Sequence, residues 1–355
     1  MPDYYEIDFL NVGPKKSGDA IPIRYSTSGN IRIHVVDGGF QEKGEELVNH
    51  IKQYFDSPSK INAVVVTHPD GDHAGGLRKL FENFEIDELW MLRPWLYVDE
   101  LINLFKHFTS KDNLKKRLKE LYPNIAKLEE LADENEIPIL EPFQGNQIGE
   151  FVVLAPSKER YLELIVESER TPEAIKTEQE SLLHAAEKIL IKATKYIRSI
   201  WGAEIFPDED TSPENNMSLV QFAVLCGKKI LLTGDAGRET LSEAIEYAPS
   251  VGLSLPGIDR IQIPHHGSRH NVSSEILDNL LGPKLYSKQE NFHCFISAAK
   301  EDEDHPRKSV VRAFIHRGGQ IFTTKGSNLC TSLNAPSRNG WIAAQAVPYP
   351  EDQEE

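Results

Sequence analysis

Cysteine, long apolar runs and net positive charge are all scarce in this sequence of 355 residues. Its three cysteines, Cys226, Cys294 and Cys330, are widely separated and form no Cys-x-x-Cys pair, which argues against a disulfide framework and against a thiolate zinc knot. Cysteines in this pattern are typical of buried thiols in a reducing compartment. A cytoplasmic location is therefore expected.

No apolar stretch approaches the roughly 18 residues that a membrane-spanning helix needs, and residues 1–6 are acidic instead of forming a basic signal region. Neither a membrane segment nor a membrane partner is expected. The length would admit two domains, but αβ sandwiches of this size are often single. We therefore predict one domain over residues 1–355.

The excess of acidic residues gives a formal net charge of −16. Such a chain has little nonspecific attraction for a polyanion, which is the main argument against binding of nucleic acid. Local basic patches and bound divalent cations can reverse that balance. One patch is Lys15–Lys16, and a denser one consists of Lys111, Lys115, Lys116, Arg117 and Lys119. A charge run is usually only a solvated face, and this interpretation is favoured for both.

The most informative segment is residues 67–76, which read Thr-His-Pro-Asp-Gly-Asp-His-Ala-Gly-Gly. It follows the apolar run 61–66, which is typical of a buried strand. Pro69 cannot continue a sheet, so the chain leaves the strand at this point. Four side chains that can bind metal ions lie there within six residues: His68, Asp70, Asp72 and His73. A strand that ends in imidazoles and carboxylates predicts a divalent metal site.

Two other apolar segments also end in side chains that can bind metal ions. Residues 229–232 precede Asp235, and residues 261–263 precede His265 and His266. Taken alone, a Gly-Asp after a strand is often a turn, and a buried histidine pair is more often hydrogen-bonded in a core. Loops at the ends of strands on one edge of a sandwich can converge, however, and the joint pattern outweighs these alternatives.

Apolar patterns elsewhere predict strands and helices in alternation. Strands are predicted over residues 31–36, 61–66, 87–92 and 148–154, and helices over 44–55, 98–135 and 158–200, the last split near Thr171-Pro172. The acidic tail 351–355 is expected to be disordered.

Residues 67–76 resemble the His-x-His-x-Asp-His motif of the metallo-β-lactamase superfamily, with Asp70 in place of the second histidine. This variant resembles the hydrolase domain of ComEC-type DNA-uptake proteins. Further segments resemble that domain in the same order: residues 9–13, 18–20, 37–39, 215–220, 231–236, 264–268, 305–306 and 323–326. The resemblance implies an α/β fold, a four-layer αβ/βα metallo-β-lactamase-type sandwich with helical insertions at 98–135 and 158–214.

The resemblance implies seven metal ligands: His68, Asp70, Asp72, His73, Asp235, His265 and His266. The first two would hold one divalent ion and the next two a second, with Asp235 bridging. Either histidine of the 265–266 pair could complete the set. Asp37 matches a family aspartate that supports the ligands, since a ligating imidazole needs an acceptor for its other N–H.

Two departures from the family pattern affect the expected metal ions. Superfamily members commonly have one more ligating histidine before the bridging aspartate, whereas residues 149–235 contain only His184. Asn215, Asn216 or water would take its place. Asp70 raises the number of carboxylates to three, which suits Mn²⁺ or Mg²⁺, while Zn²⁺ binds both ligand types. Two divalent ions, Zn or Mn with Mg also compatible, are the predicted cofactors.

The function that the resemblance implies is metal-dependent hydrolysis, with a nuclease or phosphodiesterase acting on DNA as the leading hypothesis. Asp70 or Asp72 would orient the attacking hydroxide. Ser268, Arg269 and His270 could meet the substrate or be plain loop, and His305 could face the site or be structural. One alternative is hydrolysis of a small molecule such as a cyclic nucleotide, lactone or thioester. Another is a subunit that a protein partner activates through the helical insertions.

Overall fold

Two seven-stranded sheets form the centre of the fold in a computed structural model that describes residues 2–106, 108–171 and 195–355. The strands are β1 Tyr4–Phe9, β2 Ala20–Thr27, β3 Asn30–Gly38, β4 Lys60–Ile61, β5 Ala63–Val65, β6 Glu85–Ile86, β7 Leu89–Trp90, β8 Ile139–Leu140, β9 Gln147–Ile148, β10 Phe151–Ala155, β11 Tyr196–Arg198, β12 Val220–Leu225, β13 Lys228–Leu232, β14 Arg260–Gln262, β15 Phe292–Ile296, β16 Gly319–Thr323, β17 Leu329–Leu333 and β18 Asp352–Glu354. Two small pairs, β4 with β6 and β11 with β18, stand apart from the large sheets.

The described helices are α1 Gly44–Tyr54, α2 Gly71–Ala74, α3 Arg78–Asn83, α4 Val98–Leu101, α5 Lys111–Leu121, α6 Pro123–Glu134, α7 Lys158–Glu167, α8 Pro213–Asn216, α9 Arg238–Tyr247, α10 Ser274–Leu281 and α11 Lys308–His316. Several begin after a serine whose hydroxyl accepts a backbone N–H of the first turn, which satisfies a group the helix itself leaves free: Ser110, Ser157, Ser212 and Ser273. None of the helices in the described ranges has both the length and the apolar character that crossing a bilayer requires.

Each large sheet combines an antiparallel and a parallel part. The first has the order β17-β1-β2-β3-β5-β7-β8 and is parallel from β3 to β8, and the second has the order β16-β15-β14-β13-β12-β10-β9 and is parallel from β16 to β13. Since parallel strands end at the same edge of their sheet, the loops that follow them lie together. The loops after β5, β13 and β14 carry the predicted ligands.

Helices cover the outer faces of both sheets, and the sheets pack on each other. Phe9 of the first sheet stacks on Phe295 of the second, with ring centroids 4.9 Å apart. Leu47 of α1 belongs to the hydrophobic cluster of the first sheet, and Leu241 of α9 to that of the second. Apolar burial on both faces of each sheet holds the layers together. This arrangement confirms the predicted α/β four-layer sandwich.

Two predicted strands are wrong in detail. The run 61–66 is divided between β4 and β5. The Asn62 side chain accepts the Ile33 N–H at 2.9 Å, and this N–H would otherwise bond to a backbone carbonyl of a continuous strand. Residues 148–154 form a hairpin of β9 and β10, since Gly149, at φ +58°, turns the chain in the left-handed region.

Two other predictions, for residues 158–200 and for residues 351–355, differ from the structure. The predicted helical segment 158–200 contains α7 but also the strand β11, and its residues 172–194 lie outside the described part of the chain. The tail 351–355 is not disordered: β18 pairs with β11, and Gln353 and Glu354 are buried. Acidic composition did not predict this, because the Glu354 carboxylate has backbone N–H partners at the start of α11. The helical prediction for 98–135 is confirmed by α4, α5 and α6.

Candidate metal centre

The Asp235 carboxylate is the centre of the site and is 2% exposed. Its Oδ1 lies 3.4 Å from His73 Nε2. Its Oδ2 lies 3.6 Å from His265 Nε2, 3.8 Å from His68 Nε2 and 4.0 Å from His266 Nε2. Three loops that are distant in sequence therefore place four imidazoles around one carboxylate.

Several of these atoms are buried without a hydrogen-bond partner in the described part of the chain. They are the Nε2 atoms of His68, His73 and His266 and the Oδ1 atom of Asp235. Buried polar atoms are nearly always paired, so a group of unpaired donors and acceptors that face one another calls for a ligand between them. Imidazole nitrogen and carboxylate oxygen are the ligand types that Zn²⁺ and Mn²⁺ take, and the residues present fit divalent cations.

The side of the site around His73 is rich in carboxylates. Asp72 Oδ2 lies 4.0 Å from His73 Nε2 and 3.9 Å from His266 Nε2. Asp19, His73, Asp235 and His266 each offer a ligand atom, and these atoms all lie within 4.8 Å of one another. Besides these four residues, His68, Asp72 and His265 each place a ring nitrogen or a carboxylate oxygen within 4.0 Å of a member of the group.

Asp19 was not among the predicted ligands. Its backbone N–H donates to the Asp72 carbonyl oxygen at 3.1 Å, and its Oδ2 accepts Gln262 Nε2 at 3.0 Å. Gly18 permits this approach, because a Cβ at that position would lie 2.6 Å from the same Asp72 oxygen. The available signal was a Gly-Asp immediately before a strand that is buried along almost its whole length, β2.

Side chains behind the ligands set the orientation of the imidazoles. Asp37 Oδ2 lies 2.8 Å from His73 Nδ1, and Asp37 also accepts the Thr67 N–H at 2.9 Å. The carboxylate therefore takes the Nδ1 proton of His73 as a hydrogen bond and leaves Nε2 free for a metal ion. His68 Nδ1 lies 3.0 Å from Thr67 Oγ1 and 3.2 Å from Ser218 Oγ, which hold that ring in the same way.

His265 is oriented by two asparagines. Its Nδ1 lies 3.0 Å from Asn271 Oδ1 and 3.2 Å from Asn215 Nδ2. Asn215 therefore lies beside His265, whereas the Asn216 side chain has other partners: its Nδ2 donates to Asp210 at 3.2 Å and its Oδ1 accepts the Thr240 hydroxyl. Asn216 fixes a loop and does not reach the site.

Three site residues have a positive φ, a backbone conformation that residues other than glycine rarely adopt. Asp37, His265 and His266 have φ values of 58°, 47° and 56°. Each such conformation costs of the order of 1–3 kcal/mol and persists only where the surroundings enforce it. Their concentration at one place supports a functional constraint on this edge of the sheets.

The charges of the site are strongly coupled. Burial opposes ionisation of Asp235, but His73, His265 and His266 together hold its pKa well below the usual range. Burial would lower the pKa of His73 and His266, but the Asp235 charge raises both, that of His266 to about 9. Protons on the imidazoles thus balance the carboxylates, and divalent cations would take their place.

The Asp70 carboxylate is paired with an arginine. It forms an ion pair with Arg170, whose Nη2 lies 3.2 Å from Asp70 Oδ2 and whose Nη1 contacts Oδ1. Its charge still reaches His68, whose pKa burial lowers and Asp70 raises in part. The structure therefore brings together six of the seven predicted ligands and leaves Asp70 on an arginine at the rim.

The remaining candidates lie around the histidine pair. The His305 ring centroid is 5.8 Å from that of His265, and burial lowers the pKa of His305 to about 4. Ser268 is buried and donates its N–H to the His265 carbonyl oxygen. Arg269 donates to the Glu355 carbonyl oxygen, and His270 Nδ1 lies 3.2 Å from the carbonyl oxygen of Glu209. Arg269 and His270 thus contact neighbouring loops, while His305 faces the ligands.

Residues 23–96 match the family model described as the metallo-beta-lactamase superfamily. The matched part includes β3, β5 and the segment 67–76 with its four candidate ligands. With the two packed sheets and outer helices, this identifies the fold as a metallo-β-lactamase-type sandwich. No curated protein matches the sequence.

The chain is similar to several solved structures at low sequence identity. The metallo-beta-lactamase fold protein YhfI from Bacillus subtilis is 9% identical, with 93% of this chain and 100% of YhfI covered and a TM-score of 0.42. CmlA, a diiron beta-hydroxylase from Streptomyces venezuelae, is 12% identical, with 94% of this chain and 54% of CmlA covered and a TM-score of 0.42. This chain spans about half the length of CmlA. Hydrolase AbOPH of the beta lactamase superfamily is 9% identical, with 66% and 72% covered and a TM-score of 0.35.

Proposed function

We propose that this protein is a metal-dependent hydrolase that cleaves phosphodiesters, with DNA as the substrate and with two divalent ions that the residues around the Asp235 carboxylate would hold. The observation that carries the proposal is the position of four imidazole Nε2 atoms within 4.0 Å of the two oxygens of that carboxylate. The resemblance of the His-x-Asp-x-Asp-His motif to ComEC-type hydrolase domains supports DNA as the substrate. A cytoplasmic site of action fits three free thiols.

Two sets of side chains around Asp235 would hold these ions, and the sets differ in their chemistry. His68 and His265 offer imidazole on one side of Asp235, whereas Asp19 and Asp72 add carboxylates on the other. The imidazole set suits Zn²⁺ and the carboxylate-rich set suits Mn²⁺ or Mg²⁺. When bound, two such ions lower the pKa of a water molecule toward neutrality and stabilise negative charge on a phosphoryl oxygen.

The surrounding side chains orient the reaction. Asp72 is the most exposed of the candidate ligand carboxylates, at 29% of its side chain, and would orient the attacking water. Asp37 fixes the His73 ring through Nδ1. His305, whose ring centroid lies 5.8 Å from that of His265, would contact the leaving group. These residues hold the reactants in one geometry, which is where much of the rate enhancement in such sites originates.

The test combines purified protein with Mn²⁺ or Zn²⁺, single-stranded DNA and bis(4-nitrophenyl) phosphate. Hydrolysis of both substrates is expected, with loss of activity in Asp72→Ala and His73→Ala. Elemental analysis of the same samples should give two metal ions per native chain. Cleavage no faster than in those two variants would contradict the proposal.

A small acidic or neutral substrate is the second candidate, and one observation favours it. The net charge of −16 disfavours a long polyanion, and Arg170 lies over the metal-binding segment, where it restricts access to Asp70. Hydrolysis of a cyclic nucleotide, lactone or thioester in the absence of DNA cleavage would select this function. Activity that appears only on addition of a protein partner would instead indicate a partner-activated subunit, with the helical insertions as the docking surface.

A further inference from the structure

A groove of about 670 Å³ runs between α5 and α6, and most of its charged lining is basic. Its cations are Arg78, Lys115, Lys116, Lys119 and Lys127, and its acids are Asp112, Glu120 and Glu130. The lining therefore has a formal charge of +2, five cations against three carboxylates, in a chain whose net charge is −16. Such a local reversal of sign is what a polyanion would require of this protein.

Carboxylate partners divide the basic residues of this region into two groups. Lys119 pairs with Glu129, and Lys127 pairs with Glu130 at 2.8 Å. Outside the groove, Lys111 contacts Asp99 at 2.5 Å and Arg117 contacts Glu120 at 3.5 Å. Three of these four, Lys111, Arg117 and Lys119, belong to the basic stretch of the sequence, and a carboxylate offsets the charge of each.

Within the part of the chain that the structure describes, three cations of the groove form no ion pair with a carboxylate. Lys115 and Lys116 are exposed, and neither pairs with an acid in the described ranges. Arg78 donates to two neutral oxygens, Gln41 Oε1 at 3.0 Å and Asn124 Oδ1 at 2.8 Å, so its charge is not neutralised. Uncompensated cations in a concave surface attract phosphate groups far more than the paired ones do.

The groove begins against the metal-binding segment. Asn124, at the start of α6, accepts Arg78 Nη2, and its Nδ2 would lie 3.2 Å from a Cβ placed on Gly71. Gly71 stands between Asp70 and Asp72 in the metal-binding segment. Tyr122, one residue before α6, contacts the buried Glu214 carboxylate, which lies 3.7 Å from Arg170 Nε. The junction of α5 and α6 thus connects the groove with the rim of the candidate metal centre.

We propose that this groove binds the phosphodiester backbone of a nucleic acid strand and leads it to the metal centre. The inference rests on the proposed phosphodiesterase function and names where the polymer is held. None of the described residues that line the groove is aromatic, so we expect no base stacking by them and binding that is independent of sequence.

The test is fluorescence anisotropy with a labelled single-stranded oligonucleotide, in an Asp72→Ala background that prevents cleavage. The double variant Lys115→Gln, Lys116→Gln should weaken binding on the order of tenfold or more at low salt, and should reduce the slope of log K against log salt by about 1.4, since each phosphate contact on a single strand contributes about 0.7. The matched control is Lys52→Gln, Lys60→Gln, which removes the same charge from exposed positions outside the groove and should change neither value.

Hydrolysis assays in the Asp72-containing protein separate this inference from the proposed function. The ratio of DNA cleavage to bis(4-nitrophenyl) phosphate cleavage should fall in the groove variant and stay constant in the control. Equal oligonucleotide affinity and salt slope in both double variants would overturn the groove assignment even if both substrates are cleaved. Oligonucleotide binding that depends on Lys115 and Lys116, without hydrolysis of either substrate, would contradict the proposed phosphodiesterase activity and support the groove as the binding site. Polyglutamate binding in place of DNA would overturn the assignment and point to an acidic protein.

Discussion

Asp70 and Arg170 form a bidentate ion pair although they lie 100 residues apart in sequence. The guanidinium reaches both carboxylate oxygens, and its Nε lies 3.7 Å from Glu214 Oε1. The Asp70 carboxylate that the family resemblance gives to a metal ion is therefore taken by an arginine. A metal ion and Arg170 would compete for the same oxygens.

Removing Arg170 should strengthen metal binding. In Arg170→Ala the Asp70 carboxylate is free to turn toward His68, and we expect the Kd for Mn²⁺ to fall roughly fivefold, about 1 kcal/mol, a modest value because the arginine is half-exposed. Isothermal titration calorimetry with Mn²⁺ measures it directly.

Arg160→Ala is the control for this experiment. Arg160 lies in α7 and pairs with carboxylates that are not candidate ligands, Glu163 at 3.0 Å and Glu167 at 3.2 Å. Its loss should leave the Mn²⁺ affinity as it is. Equal affinities in Arg170→Ala and the native protein would mean that Asp70 serves the arginine alone.

Asp19 should be needed for the full complement of metal ions. Asp19→Asn keeps the shape of the side chain and an oxygen that can accept the Gln262 amide, but it removes the negative charge beside His73 and His266. We expect the affinity of the weaker-bound ion to fall by at least about tenfold, the lower end of what loss of a supporting group costs. Elemental analysis after dialysis, with metal titration, gives the number.

Asp259→Asn provides a matched substitution away from the site. Asp259 precedes β14 and pairs with Lys228 at 3.0 Å. This variant should retain the native metal content. If Asp19→Asn also retains it, Asp19 acts only by packing the loop against Gln262.

Local patterns were sufficient to predict the elements that carry the ligands. Three apolar segments each end at a side chain that can bind a metal ion: the segments before residue 68, before Asp235 and before His265. Their apolar pattern is typical of buried strands, and it was enough to predict where these ligands lie. The sequence did not predict contacts between residues that lie far apart along the chain. Asp19 approaches the site only because Gly18 fits against Asp72, and Arg170 reaches Asp70 only after the chain has folded. Neither contact leaves a periodic signal in the sequence.

The errors in the fold have the same origin. Asn62 interrupts an apolar run that reads as one strand, because its side chain bonds to the neighbouring β3 backbone. The acidic tail 351–355 reads as disordered until a partner strand and the N–H groups of α11 are placed beside it. Composition describes what a segment prefers when solvated, whereas these segments are fixed by tertiary hydrogen bonds.

His34 should make stability fall at mildly acidic pH. It is buried on β3 beside Phe151, at 5.0 Å between ring centroids, and neither ring nitrogen has a hydrogen-bond partner in the described part of the chain. Burial, with a smaller effect of Arg32, lowers its pKa to about 3. Below about pH 6.5 the unfolded chain binds a proton that the folded chain does not accept, so the free energy of unfolding decreases as pH falls toward 3.

His34→Leu removes this proton linkage. Between about pH 6.5 and pH 5 the native protein should lose on the order of 2 kcal/mol that the variant keeps, at about 1.4 kcal/mol per pH unit. Urea unfolding at several pH values measures the difference, and the range from about pH 7 to 8 is the internal control, since the imidazole is neutral there in both states. Parallel stability curves across the acidic range would show that His34 does not carry the effect.

Glu354 should stabilise the N-terminus of α11. Its two carboxylate oxygens accept the backbone N–H groups of Lys308 and Ser309, each at 2.9 Å, and its side chain is buried. These are donors that the helix cannot satisfy itself, and a negative charge beside them is favourable. In Glu354→Gln the amide NH₂ would face one of the two donors, so the charge and one hydrogen bond are lost, at a cost of about 1–2 kcal/mol.

The midpoint of urea unfolding should therefore shift to lower concentration in Glu354→Gln and stay at the native value in Glu351→Gln, which changes the same group at an exposed position of the same segment. Hydrogen exchange at the Lys308 and Ser309 amides should become faster in the first variant only, because each amide loses its buried acceptor. Identical midpoints and exchange rates in the two variants would mean that the Glu354 carboxylate does not stabilise the N-terminus of α11, and that residues 351–355 are held by the pairing of β18 with β11 instead.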